Sequence, residues 1–133
     1  MDTSVTAVVG LYGYYGTVYS DGPASSPAAH LRADAPPFFA VHGDHDTYVH
    51  AKGARRFAAK LRAASANPVV YAELPGAQHS FDVFHSIRFE TVVDAVEAFA
   101  AWVRSGAAAA QQAGQHGAYE AAERRAEQAR AEG

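Results

Sequence analysis

The apolar residues of this chain fall into blocks with different spacings, and each spacing predicts a different element. Val5, Ala7, Val8, Val9 and Leu11 form a near-continuous run within 5–12. That is the pattern of a strand buried on both faces, as in a parallel sheet. Gly10, Gly13 and Gly16 then break the run. From Gly13 to Ala35 the chain mixes Gly, Pro and Ser with Tyr14, Tyr15 and Tyr19. This predicts a long loop, with a short helical turn over Ser26 to Arg32. Loops of such length are uncommon in compact domains and tend to serve function. Pro36-Pro37 opens a second strand, Phe38 to His42, because the missing proline donors are tolerated at a strand's start.

A helix is predicted from about His50 to Ala64. Ala54, Phe57, Ala58 and Leu61 repeat at i, i+3, i+4, i+7, while Lys52, Arg56, Lys60 and Arg62 lie largely off that stripe. Asn67-Pro68 ends it and starts a third strand, Val69 to Leu74, followed by a loop from Pro75 to His85. The clearest helical period runs over Ser86 to Arg104, through Phe89, Val92, Val93, Val96, Phe99, Ala100 and Val103. Trp102 sits off this stripe. From Ser105 onward Ala, Gln, Glu, Arg and Gly dominate, which predicts a mobile or weakly helical tail over 105–133. Within it Tyr119 to Arg130 is a candidate solvated helix, with Glu120 and Arg124 at i, i+4.

Strands alternating with helices imply an α/β class: three parallel strands with flanking helices and right-handed crossovers. A sheet this narrow leaves its apolar first strand needing a neighbour, since an open edge exposes unpaired backbone. The expected organisation is a domain portion at 1–104 and a polar tail at 105–133.

Composition narrows the function classes. The 133 residues are 49% hydrophobic and carry Lys+Arg 11 against Asp+Glu 14, a net charge of -3. No excess of positive charge invites nucleic acid or an anionic membrane surface. The absence of cysteine removes disulfides, thiolate chemistry and Cys-based zinc sites. No apolar run approaches the roughly 20 residues needed to span a bilayer, and the start of the chain lacks the basic and apolar regions of a signal peptide. The expectation is a soluble chain whose compartment is open, cytoplasmic by default.

Two loops carry the chemistry. His42-Gly43-Asp44-His45-Asp46-Thr47-Tyr48-Val49 leaves the second strand, and Gly76-Ala77-Gln78-His79-Ser80-Phe81 leaves the third. Functional groups of open parallel sheets collect at such carboxyl ends. A carboxylate beside an imidazole holds one ring nitrogen as a donor and leaves the other to take a proton.

From about Ser4 to Arg104 the chain resembles the C-terminal part of α/β-hydrolases of the esterase/lipase group, including dienelactone-hydrolase-like and prolyl-oligopeptidase-like relatives. The resemblance rests on the two loops and on Pro36-Pro37-Phe38-Phe39-Ala40-Val41 ahead of the first. It implies a partial α/β-hydrolase fold whose three strands are the last of the family's sheet. It also implies Asp46 as the triad acid and His79 as the triad base, in the order Ser, Asp, His. The Gly13 to Ala35 excursion then falls where the family builds a lid or acyl pocket. Tyr12, Tyr14, Tyr15 and Tyr19 either line such a pocket or pack the loop onto the sheet, with Tyr14 and Tyr15 as candidate substrate-binding residues.

The chain departs from the family in one respect. No Gly-x-Ser-x-Gly occurs, and Ser4, Ser20, Ser25, Ser26, Ser65, Ser80, Ser86 and Ser105 all lack the flanking glycines. The Gly-rich loop that supplies oxyanion donors is also missing. The reading is therefore a fragment of a carboxylesterase- or lipase-type enzyme, acting in the complete enzyme on a small-molecule ester. It is inactive alone and completed by an N-terminal segment or a complementary chain. No cofactor or metal is called for.

Two alternatives come from the residues themselves. One is a non-catalytic module pairing through an open sheet edge. The other is a small metal-dependent hydrolase using the cluster His42, His45, Asp46 and His50, although His42-x-x-His45 lacks the i, i+4 spacing that aligns helical ligands. Asp46 also has a helix N-terminal reading, since it precedes a helix. Asp44 reads as a turn residue.

Overall fold

The computed structural model describes residues 5–17 and 22–106 and, in the tail, 114, 117–122, 124, 125, 127 and 128. The expectations for Tyr19 and for most of the tail concern residues outside the described ones. The ordered elements are strand β1 (Val8–Leu11), strand β2 (Phe38–Gly43), helix α1 (Ala51–Ala64), strand β3 (Val69–Leu74) and helix α2 (Ile87–Arg104).

One sheet holds the strands in the order β1-β2-β3, all parallel. The register pairs Val8 with Phe38, and Phe38 in turn with Val69. Period-two alternation sorts the strand residues onto two faces. Phe38 and Val69 pack with Phe57, Ala58 and Leu61 of α1, with Tyr15 and Leu31 of the long loop closing over them. Phe39 and Val41 pack with Val92 and Phe99 of α2 on the opposite face, with Ala7, Leu11, Ala72 and Leu74 around them. Tyr15 lies flat on Phe57, ring centroids 4.2 Å apart. Aromatic stacking of this kind adds to simple area burial and ties the excursion to the helix.

The central strand is buried along nearly its whole length, whereas Val9 of β1 and Val70 of β3 are exposed. The predicted first strand, 5–12, is realised only over Val8–Leu11. It stops because Tyr12 takes a left-handed conformation, φ 43°, although its N–H still donates to the Val41 carbonyl at 2.8 Å. The expected turn at Ser26 to Arg32 is two short 3-10 turns instead, Pro23–Ser25 and Pro27–Ala29. Proline opens each, being pre-set for the first helical position and lacking only a donor that would go unused there.

Helix α2 begins where predicted. The Ser86 hydroxyl caps it, accepting from the Phe89 N–H at 3.2 Å. Its apolar stripe is only partly used: Val92 and Phe99 are buried, but Val93 is exposed. An 18-residue helix is about 27 Å long, while the six-residue strands β2 and β3 are about 20 Å long. The helix therefore outreaches the sheet beneath it. Trp102 packs beside Phe99, centroids 6.1 Å apart, so it belongs to the margin of the core despite lying off the sequence stripe. In the tail 117–122 is helical, and Arg124 Nη2 lies 3.7 Å from Glu120 Oε2. Among the described residues no helix is long and apolar enough to cross a membrane.

Candidate active site

The site forms where the chain leaves β2 and β3. Gly43 ends β2 against the second loop, and a Cβ there would run into the Ala77 carbonyl. Only glycine permits this approach. The two loops are then laced together by backbone and side chain. The Asp44 N–H donates to the Leu74 carbonyl at 3.3 Å and the His45 N–H to the Ala77 carbonyl at 3.1 Å. The Gly76 N–H donates to Asp44 Oδ1 at 2.7 Å, so Asp44 fastens one turn to the other. Gln78 Oε1 accepts from the Thr47 N–H and hydroxyl, both at 3.3 Å.

This lacing sets Asp46 under His79. The Asp46 side chain is fully buried. Its Oδ1 accepts from the N–H groups of Tyr48 at 2.9 Å and Val49 at 2.7 Å. Its Oδ2 lies 2.8 Å from His79 Nδ1. The helix N-terminal reading of Asp46 gives way here. The residue preceding α1 is His50, whose side chain makes no cap, and the amides on Asp46 belong to its own loop. Burial is the largest single influence on the Asp46 carboxyl and works against ionisation. The Val49 N–H, the His79 ring, the Tyr48 N–H and the His79 charge together outweigh it, holding the group below its ordinary value.

A carboxylate only accepts, so His79 Nδ1 carries the proton and Nε2 is left as the free lone pair. Among the described residues nothing bonds that nitrogen, and the side chain is 28% exposed. Two aromatic rings flank the imidazole: Tyr12 at 4.5 Å and Tyr48 at 5.3 Å between centroids. Tyr12 also stands edge-on to Phe81 at 5.4 Å, and its hydroxyl donates to Asp82 Oδ1 at 3.0 Å. That bond, then burial and the Asp82 charge, raise the Tyr12 phenol above its ordinary value and keep it a donor.

Tyr12 and Ser80, at φ 43° and 55°, are the two non-glycine residues with positive φ among those described. One packs its tilted ring against His79 and the other follows it in sequence. Left-handed backbone at non-glycine residues carries a cost of order 1–3 kcal/mol and concentrates at functional sites.

Of the substrate-binding candidates, Tyr15 is turned into the core against Phe57, while Tyr14 is exposed with its hydroxyl on the Thr17 carbonyl. Both border an open groove of about 490 Å³, walled also by Tyr48, Val49, Lys52 and Arg56. The rings beside His79 are Tyr12, which the sequence offered as pocket lining, and Tyr48, which it did not single out. The usable signal was their place one step past a strand end and two past Asp46.

The His42 to His50 cluster does not converge. His42 is buried with Nε2 on the Val49 carbonyl, whereas His45 and His50 are exposed. No group of side chains arranged to hold a metal ion occurs among the described residues. The serines at 25, 26, 65, 86 and 105 each bond backbone groups close to their own segments or brace the long loop. Among the described residues none bonds His79.

Three parallel strands with helices on both faces, matching part of known esterases, define an α/β-hydrolase of the esterase group. Residues 12–109 match the prolyl oligopeptidase family, and the chain belongs to that family. It is 51% identical over 79 residues to the probable carboxylic ester hydrolase LipM of Mycobacterium tuberculosis, a match covering 59% of this chain and 18% of that protein. Esterase LipQ of the same organism is 44% identical over 85 residues, covering 61% and 20%. Among solved structures, Thermogutta terrifontis esterase 2 phosphorylated by paraoxon superposes with TM-score 0.64 at 25% identity, covering 76% of this chain and 40% of that one. The chain thus spans about a fifth of the length of LipM and LipQ.

Proposed function

We propose that this chain is the C-terminal portion of a serine ester hydrolase of carboxylesterase or lipase type, contributing the acid Asp46 and the base His79. The observation that carries the reading is the 2.8 Å contact between Asp46 Oδ2 and His79 Nδ1 with Nε2 left open. In the complete enzyme Nε2 takes the proton of a serine carried on sequence outside these residues as its oxygen attacks the ester carbonyl. The imidazolium then protonates the departing alcohol, and water repeats the cycle to release the acid. Asp46 fixes the tautomer and balances the charge. The groove beside Tyr14, Tyr15 and Tyr48 takes part of the ester. In this reading 1–104 is the domain portion and 105–133 an Ala/Gln/Glu/Arg-rich tail.

Without nucleophile and oxyanion donors the largest catalytic contributions are absent, so the chain alone turns over no ester above background. The test compares hydrolysis of a short p-nitrophenyl ester, and labelling by a fluorophosphonate, for this chain alone and for it joined to a serine-bearing N-terminal portion from a relative. Activity only in the joined form, falling by about 10⁶ on His79→Ala, is the expected outcome. Turnover by the chain alone, or a joined form indifferent to His79→Ala, overturns the reading.

One observation favours a second reading, a module that pairs through its edge. β1 has no neighbour on its outer side in the described sheet, and Val9 is exposed there. A defined dimer in solution, dispersed by Val9→Lys, supports that reading.

A further inference from the structure

After Asp46, His42 is the most deeply buried polar side chain of the site, and neither the acid role nor the base role uses it. The ring is 1% exposed, on the α1 face of β2. Its Nε2 is 2.7 Å from the Val49 carbonyl oxygen and 3.2 Å from Asp46 Oδ2. Its Nδ1 is buried with no partner among the described residues. Both neighbours of Nε2 are acceptors only, so Nε2 carries the proton. An unpartnered buried nitrogen loses its hydration without recompense, and an apolar side chain would avoid that loss. The histidine must therefore gain something through Nε2.

Val49 is the link. Its carbonyl accepts from His42, while its N–H donates to Asp46 Oδ1 at 2.7 Å. The same imidazole N–H lies beside Oδ2, the oxygen that meets His79. The segment from Asp44 to Val49 lies outside any helix or strand. His42 closes it back onto its own strand at the point where the Asp46 amide donors sit. The nearest charged group on the neighbouring strand is Glu73, the register partner of His42, which is engaged by Arg55 and the Tyr71 hydroxyl.

We propose that His42 is a positioning residue: its Nε2–H clamps the Val49 peptide and holds the Asp46 carboxylate in line with His79 Nδ1. The proposal rests on Asp46–His79 being the working pair. Its test reads a hydrogen bond and not turnover, so either reading can fail alone.

In the full chain, nitrogen-15 spectra of the imidazoles and the low-field proton signal of His79 Nδ1–H are recorded for wild type, His42→Gln and His42→Leu. Gln keeps a donor near the Nε2 position, and Leu removes it. The expected result is a His42 protonated at Nε2, a His79 signal present in wild type and in His42→Gln, and its loss in His42→Leu with the amide spectrum of α2 unchanged. A His42 protonated at Nδ1 overturns the proposal, as does a missing signal in wild type or in His42→Gln. A folded His42→Leu that keeps the signal does so too. Should His42→Leu not fold, the wild-type tautomer and His42→Gln decide the matter.

Discussion

Gly43 sits against Ala77 so closely that a single methyl group on its α-carbon would overlap the Ala77 carbonyl. The acid loop and the histidine loop meet at that contact. Gly43→Ala must push the loops apart or shift the end of β2. The expected cost is about 1–3 kcal/mol, the range for overpacking. Thermal unfolding would show it as a midpoint lower by about 5 °C or more. An unchanged midpoint would mean that the loops are not held at this separation.

Asp46 predicts an acid limb in the stability profile. Its carboxyl is held below the ordinary value in the native state, so between the native and unfolded values the unfolded chain binds more protons. Stability therefore rises with pH through that interval. The contribution is complete above the unfolded value, about 3.9, and is lost as pH falls through the native one. Glu73, lowered mainly by its bond to Arg55, acts in the same direction. Denaturant midpoints between pH 2 and pH 6 should fall less steeply for Asp46→Asn than for wild type.

In an active joined form Asp46→Asn should lower kcat by about 10⁴. The amide offers an N–H to His79 Nδ1 and so favours the tautomer with its proton on Nε2. Ester hydrolysis across pH 6–9 checks this, and a loss under tenfold would contradict it.

Tyr12 predicts a separation between ring and hydroxyl. Tyr12→Phe removes the bond to Asp82 and keeps the ring contact with His79. A partly exposed bond of this kind is worth about 1 kcal/mol or less. Tyr12→Ala loses the ring as well and should cost distinctly more. Equal losses in urea unfolding would place the whole effect on the hydroxyl.

Phe57 joins α1, the sheet and the long loop through Tyr15 and Phe38. Phe57→Ala should destabilise by about 3–5 kcal/mol, and Tyr15 should become more exposed to fluorescence quenchers. A loss below 1 kcal/mol would mean that the loop does not rest on this face.

The sequence by itself determined the order of elements and the class. The short runs Phe38 to His42 and Val69 to Leu74, each opened by proline, and period 3.6 in the two helices are local signals that do not depend on what the elements later pack against. The likeness of the loops at 42–49 and 76–81 to the hydrolase motifs was legible for a related reason, since both follow a strand end and contain the glycine the turn requires. Tertiary structure alone decided which groups meet. Tyr12 lies 67 residues from His79 in sequence, and its left-handed turn, not any pattern, lays it on the imidazole. Tyr15 went to the core because Phe57 offered a flat face. His42, which the sequence grouped with other histidines, was parted from them because strand alternation turned it inward beneath α1 while His45 and His50 faced outward. Spacing along the chain sets which way a side chain points within its own element. What it then touches depends on segments arriving from elsewhere, and that is fixed only when the sheet and helices pack.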